Sequence, residues 1–165
     1  MQIEAEELNG RYVKLAIFID SGKMDEVVND IYNKCLLEMQ CYTMFDYIRL
    51  LDTRIQRMQG SDGAKVRKMN FGMAIMALKA GYPIRRSGWN GKGLMVFKQV
   101  PAHIDSDIIP KMQSLPQSAK DLILKGKGFI DYTSQCLIYN ENTGRADSWV
   151  PSISDVFADD WEIVQ

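Results

Sequence analysis

Several residue types are scarce in this chain, and each scarcity excludes something. There is one histidine, His103, and there are three cysteines, Cys35, Cys41 and Cys136, none in a C-x-x-C pair. His and Cys are the usual ligands of a structural zinc, so no metal is expected. An odd number of thiols with no apparent signal peptide points to free cysteines in a reducing cytoplasm rather than a disulfide framework. No apolar run approaches the roughly 18 residues that suggest a membrane span. Neither charge sign dominates: 20 Lys and Arg stand against 21 Asp and Glu, a formal net charge of −1. General nucleic-acid binders carry a basic excess or stripe, so neither nucleic acid nor membrane is expected as a partner. A small, locally basic pocket for an anionic ligand stays open.

Catalytic patterns are scarce too. Ser134 lacks a G-x-S-x-G surround, the context of a nucleophile elbow. Asp159 and Asp160 are adjacent, and neighbours in a strand face opposite sides. No G-x-x-x-x-G-K-[ST] phosphate loop is present. These gaps favour a binding protein over an enzyme, with no cofactor required.

What is present is a soluble globular mix, with 46% hydrophobic and 25% charged residues in 165, enough to bury a core without staples. One stretch stands out: Arg85-Arg86-Ser87-Gly88-Trp89-Asn90-Gly91-Lys92-Gly93. Arginine and lysine supply charge and donors for phosphate. Tryptophan offers a face on which a base stacks. Glycines allow sharp turns and close backbone approach. The same residues also suit an ordinary hairpin, since Asn-Gly between two strands is a routine turn signal. Residue types alone do not choose between the two readings. A second cluster is C-terminal, with Trp149, Ser152, Asp155, Asp160 and Trp161. Ser152 and Asp155 have the spacing of a helix capping box, while Trp149 and Asp155 also suit a base face and a ribose acceptor. Trp161 reads as core.

The chain changes texture near Met58-Gln59-Gly60-Ser61-Asp62-Gly63, a polar break. Before it, Met24, Val28, Ile31, Cys35, Met39, Tyr42, Phe45, Ile48, Leu51, Ile55 and Met58 share a helical stripe. A continuous helix there would run about 35 residues, beyond the roughly 25 at which a break becomes the better expectation. The spacing predicts one long helix, or two joined near Cys35 to Tyr42. Upstream, residues 13–19 are apolar and suit a short helix or strand. After the break, Asn70 caps a helix ending at Gly81, and strands are expected over residues 83–86, 94–100, 129–132, 136–139 and 161–164. Residues 101–127 are polar and are expected to hold one short helix, residues 119–124, capped by Ser118.

From Met69 to Gln165 the sequence resembles a known family. Asn70-Phe71-Gly72, the helix ending at Gly81, Arg86-x-Gly88-Trp89-Asn90-Gly91-Lys92-Gly93 and Trp149-x-Pro151-Ser152-x-x-Asp155-x-x-Ala158-x-Asp160-Trp161 follow its pattern in order. The family is that of the phage Thoeris anti-defence proteins of the second type. The resemblance implies a sponge that binds cyclic ADP-ribose isomers made by bacterial TIR enzymes without cleaving them. It also implies homo-oligomers, commonly tetramers, with pockets between subunits. Some related proteins also take up cyclic dinucleotides made by cGAS-like enzymes. Residues 101–127 read as an insertion relative to the family, and the N-terminal helical pattern loosely resembles helical segments of small phage proteins.

The expected architecture is therefore α+β. Residues 1–60 form a helical extension for packing or oligomerisation, residues 61–68 a linker, and residues 69–165 a small antiparallel β-sheet domain with one packed helix. The candidate ligand set is Trp89 and Trp149 for base stacking, Arg85, Arg86 and Lys92 for phosphates, and Asn90, Asn142 and Asp155 for ribose or base edges. The expected setting is the cytoplasm of a host bacterium. Two other classes stay open: an enzyme that hydrolyses or modifies the same nucleotide, and a structural protein of a phage particle.

Overall fold

The structure, a computed structural model, describes residues 1–164. It is α+β: an N-terminal helical segment precedes one antiparallel sheet of five strands and a second sheet of two. Contacts divide it into two compact units. Residues Met1–Ala74 join Ala158–Ile163 in the first, and Ile75–Phe157 with Val164 make the second.

The first unit is built on a helical hairpin. Helix α1 (Gln2–Asp20) takes in the apolar residues 13–19 and ends at Ser21, before Gly22 in the left-handed region at φ +77. Glycine adopts that conformation without the steric cost other residues meet. A short α2 (Lys23–Val27) follows, then α3 (Ile31–Met58). The break in the helical stripe thus falls at residues 28–30, not near Cys35 to Tyr42. Val28 is extended, and Asp30 leaves helical geometry to serve as N-cap, accepting from the Tyr32 N–H at 2.9 Å. That side-chain acceptor satisfies a backbone donor the helix start leaves orphaned. From there α3 runs 28 residues with no Gly or Pro.

Helices α1 and α3 run antiparallel. Tyr47 donates to Glu4 near one end, and the Tyr12 and Phe45 rings lie 5.6 Å apart further along. Ala5, Ile48 and the fully buried Leu51 fill the unit's interior. So do Met69, Met73 and Trp161, and the last has no exposed surface. Met69 and Trp161 exchange both backbone hydrogen bonds at 3.1 Å, and the Trp161 ring lies 5.8 Å from that of Phe71. Asn70 caps α4 (Phe71–Lys79) by accepting from the Met73 N–H at 2.9 Å, while its amide donates to Asp46 of α3 at 2.6 Å.

In the second unit, strands β1 (Ile84–Arg86), β2 (Leu94–Lys98), β5 (Cys136–Asn140) and β6 (Arg145–Ser148) lie in the order β6-β5-β2-β1. Ile84 faces Val96 across the β1–β2 pair, and both are fully buried. The β5–β6 hairpin turns through Glu141 to Gly144, the latter at φ +71. Between β2 and β5 the chain makes an excursion that includes the strand expected over residues 129–132, and residues 101–127 hold more than the single helix expected there. Strands β3 (Ala102–Ile104) and β4 (Ile130–Tyr132) pair with each other. Between them lie a 3-10 turn, Ile109–Lys111, and α5 (Gln117–Lys125). Ser118 does not cap α5. The helix starts earlier, because the Pro116 carbonyl already accepts from the Ala119 and Lys120 N–H groups. Ile109, fully buried, anchors the excursion. A final short helix, α6 (Ile153–Val156), follows β6, and β7 (Trp161–Ile163) belongs to the first unit.

Candidate functional site

The site assembles around the carboxylate of Asp155. Ser152 opens α6 with a complete capping box. Its hydroxyl accepts from the Asp155 N–H at 3.2 Å, and Asp155 Oδ2 accepts from the Ser152 N–H at 3.0 Å and the Ser152 hydroxyl at 2.8 Å. That leaves Oδ1 pointing to the loop after β1. It accepts from Arg86 Nη1 at 3.0 Å and from the Trp89 indole Nε1–H at 3.2 Å. Arg86 Nη1 also donates to the Ser154 carbonyl at 3.2 Å.

Among the described residues Asp155 is the one buried charged residue, 7% exposed. Burial works to raise its pKa, but the hydrogen bonds from Ser152, Arg86 and Trp89 outweigh it and hold the carboxyl below its ordinary value. An ionised carboxylate whose two oxygens each accept two hydrogen bonds is a rigid hub. Its effect is to fix two candidate side chains, one cationic and one aromatic, in register with each other. Arg86 reaches it from the end of β1, and Trp89 from the turn begun where the Trp89 N–H meets the Arg86 carbonyl.

A second clamp holds the far end of the same loop. Asn142 Nδ2 donates to the Lys92 carbonyl at 2.7 Å, and the Glu141 N–H donates to the Gly93 carbonyl at 2.9 Å. Gly93 sits at φ +78, and a Cβ there would fall 2.6 Å from both Asn142 Nδ2 and Glu141 Cγ. The β5–β6 turn therefore packs on a position where only glycine fits.

The structure thus gathers Arg86, Trp89 and Asp155 into one cluster, and Lys92 and Asn142 into a second at the end of the loop. Asn90 and Lys92 are exposed along the loop. Arg85 is half-buried on β1. Trp149 is half-buried just past β6, its backbone N–H on the Cys136 carbonyl at 2.8 Å. The Ser154 carbonyl is a partner that residue patterns do not announce, because any residue supplies a carbonyl. The residues around α6 add a further feature: Val150, Ile153 and Phe157 are each about 80% exposed, large apolar groups beside the hub.

His103 stands in β3. Its Nδ1 meets Asp131 at 2.5 Å and its Nε2 meets Asp105 at 3.2 Å. Asp131 above all raises its pKa, through their hydrogen bond, against a smaller opposing effect of desolvation. Among the described residues no group of three His, Cys, Asp or Glu side chains is placed to hold a metal ion, and no helix is long and apolar enough to cross a membrane.

The class is an antiparallel α+β domain in which one carboxylate anchors an arginine and a tryptophan, a preformed cation beside an aromatic ring. Comparison with known proteins places it further. Residues 69–164, more than half of the chain, match the Thoeris anti-defense 2-like domain, and the chain belongs to that family. It is 33% identical over 102 residues to Thoeris anti-defense 2 of Bacillus phage SP01, covering 59% of this chain and 96% of that protein. Residues 1–57 are similar to a second family, Sequestin. Family membership supports a phage anti-defence role.

Proposed function

We propose that this protein binds cyclic nucleotide immune signals tightly and holds them without cleaving them. The signals are cyclic ADP-ribose isomers from TIR enzymes and, by extension, cyclic dinucleotides from cGAS-like enzymes, encountered in the host bacterial cytoplasm. The observation that carries the reading is the fixed pairing of Trp89 with Arg86 through Asp155. A stacking face and a phosphate-binding cation held in one geometry lower the ordering cost of capture. Asp155 serves chiefly as the group that positions both. Lys92 adds charge along the loop, Asn90 and Asn142 flank it, Arg85 extends the basic character, and Trp149 is a second candidate face.

Tight retention needs an enclosed site. The exposed Val150, Ile153 and Phe157 offer a surface that a second copy would cover. A homo-oligomer, with a tetramer favoured, would then close the pocket at a subunit boundary. The test is direct. Protein is incubated with a panel of cyclic ADP-ribose isomers and cyclic dinucleotides, denatured, and the ligand recovered. The expected result is saturable binding and intact ligand. Recovery of cleaved ligand points to a hydrolase instead, and a panel without any melting shift points to a structural role.

A further inference from the structure

The helical hairpin carries a feature that the nucleotide reading does not use. Two clefts follow one another along the same side of α1 and α3. The first, about 320 Å³, has Ala5, Ile48 and Ile55 in its lining. The second, about 420 Å³, has Tyr12, Ala16 and Phe45. Along α1 the lining positions advance from Gln2 through Asn9 and Tyr12 to Asp20, and along α3 they return from Ile55 through Phe45 to Glu38. Steps of three and four on both helices keep these on one face, so the clefts form one groove. At ~1.5 Å per residue, the 19 residues of α1 give it a length near 28 Å.

The groove is apolar in its floor and acidic at its edges. Its charged lining residues are Glu6 and Asp52 at one end and Asp20 and Glu38 at the other, and no lysine or arginine lines either cleft. Arg49, which lies 5.4 Å over the Phe45 ring, is paired with Asp46. Tyr42, which also lines the second cleft, is 72% exposed, and Ile17 on α1 is 62% exposed. Two helices in contact leave such a trough where a third helix packs.

We infer that this groove binds an amphipathic helix of a partner protein whose apolar stripe is flanked by lysine and arginine. Helix-in-groove docking uses apolar anchors at spacings of three and four, and the four carboxylates select the flanking charge. A second copy of this chain is a poor occupant, because it would bring the same four carboxylates to the same seam. The chain's own basic helix, α5, has nine residues, too few to span the groove.

Cys41 lines the groove, whereas Cys35 is exposed on the same helix, so thiol alkylation reports occupancy. The probe is an 18-residue peptide with a Leu/Ala stripe and Lys/Arg flanks, set against a twin carrying Glu in place of each cation. The full-length protein is treated with maleimide, and each cysteine is followed by mass spectrometry. The basic peptide should slow Cys41 alkylation at least tenfold while leaving Cys35 and Cys136 unchanged, and the effect should weaken with added salt. A D20K/E38K double variant should lose the protection tenfold or more. Because those residues are exposed, folding should survive, and E6K/D52K at the other end is a second, independent reading. Equal protection by the Glu twin overturns the proposal, as does no protection by either peptide. Protection of Cys41 that grows with protein concentration alone also overturns it, in favour of a second copy.

Discussion

The indole N–H of Trp89 donates to the carboxylate of Asp155 at 3.2 Å, across 66 positions of sequence. The same oxygen takes Arg86 at 3.0 Å. A side chain in the loop after β1 is thereby oriented by the first turn of a helix near the other end of the chain. The arrangement makes Trp89 more than a ring: it is a ring with one edge pinned.

Replacing Trp89 separates those two properties. Trp89→Phe keeps a stacking face and removes the donor, whereas Trp89→Ala removes both. A stacked base is worth about 1–3 kcal/mol, and a hydrogen bond to a charged acceptor about 1.5–3 kcal/mol. Affinity for a captured cyclic nucleotide should fall about tenfold for the phenylalanine variant and by about a hundredfold or more for the alanine variant. Titration calorimetry measures both. Unchanged binding by Trp89→Ala would show that the ligand sits elsewhere.

Asp155 links the site to stability and to pH. Asp155→Asn keeps the shape and discards the charge that faces Arg86. Removing one member of a buried pair costs about 3–5 kcal/mol. The Arg86 side chain is 19% exposed, so solvent screening reduces this to about 2 kcal/mol. The folded carboxyl titrates below its unfolded value. Its contribution is therefore fully present above the unfolded carboxylate pKa of about 3.9 and disappears as pH falls through the folded value. Thermal melts from pH 7 to pH 3 should show the wild type losing its advantage over Asp155→Asn toward the acid end. Parallel curves would refute the linkage.

Gly93 tests whether the second clamp matters. Alanine there meets both the left-handed φ of +78 and a 2.6 Å approach to Asn142 Nδ2 and Glu141 Cγ. The backbone conformation alone costs about 1–2 kcal/mol, and the side-chain clash adds to it. Gly93→Ala should melt several degrees lower and loosen the loop carrying Asn90 and Lys92. Gly91→Ala is the control for the backbone part, since its Cβ would also clash with a side chain, that of Leu94, but its φ lies outside the left-handed region. Equal melting points for the two variants would remove the argument for the clamp.

How much of this was legible depended on distance along the chain. Ser152 and Asp155 are three apart, and their capping box is a local pattern that the sequence displays. So is the Asn70 cap on α4. The bond from Arg86 to the same aspartate spans 69 positions, and nothing local encodes it. The resemblance placed both motifs in one pattern without saying that one carboxylate joins them. Local signals also failed where the deciding residue was not a recognised breaker. Val28 leaves the helix without a Gly or Pro nearby to announce it, so the break was expected at the wrong place. The β3 strand is three residues long, too short for alternation to show. Its pairing with β4 comes from tertiary contact.

His103 offers a pH response of opposite sign. It pairs with Asp131 across the β3–β4 register and also meets Asp105. The Asp131 hydrogen bond raises its pKa above 6.5. A group with a raised folded pKa contributes stability that is fully present below the unfolded value and is lost as pH rises through the folded one. Fully protonated, His103 donates to both carboxylates and ties β3 to β4. The imidazole protons, followed by NMR, should titrate above 6.5 in the wild type and shift downward in Asp131→Asn. Amide exchange in β3 and β4, corrected for its intrinsic pH dependence, should quicken over the pH range in which the ring loses its proton. In Asp131→Asn that step should move to lower pH and shrink. An unshifted titration in Asp131→Asn would mean that Asp105, not Asp131, sets the charge on this ring.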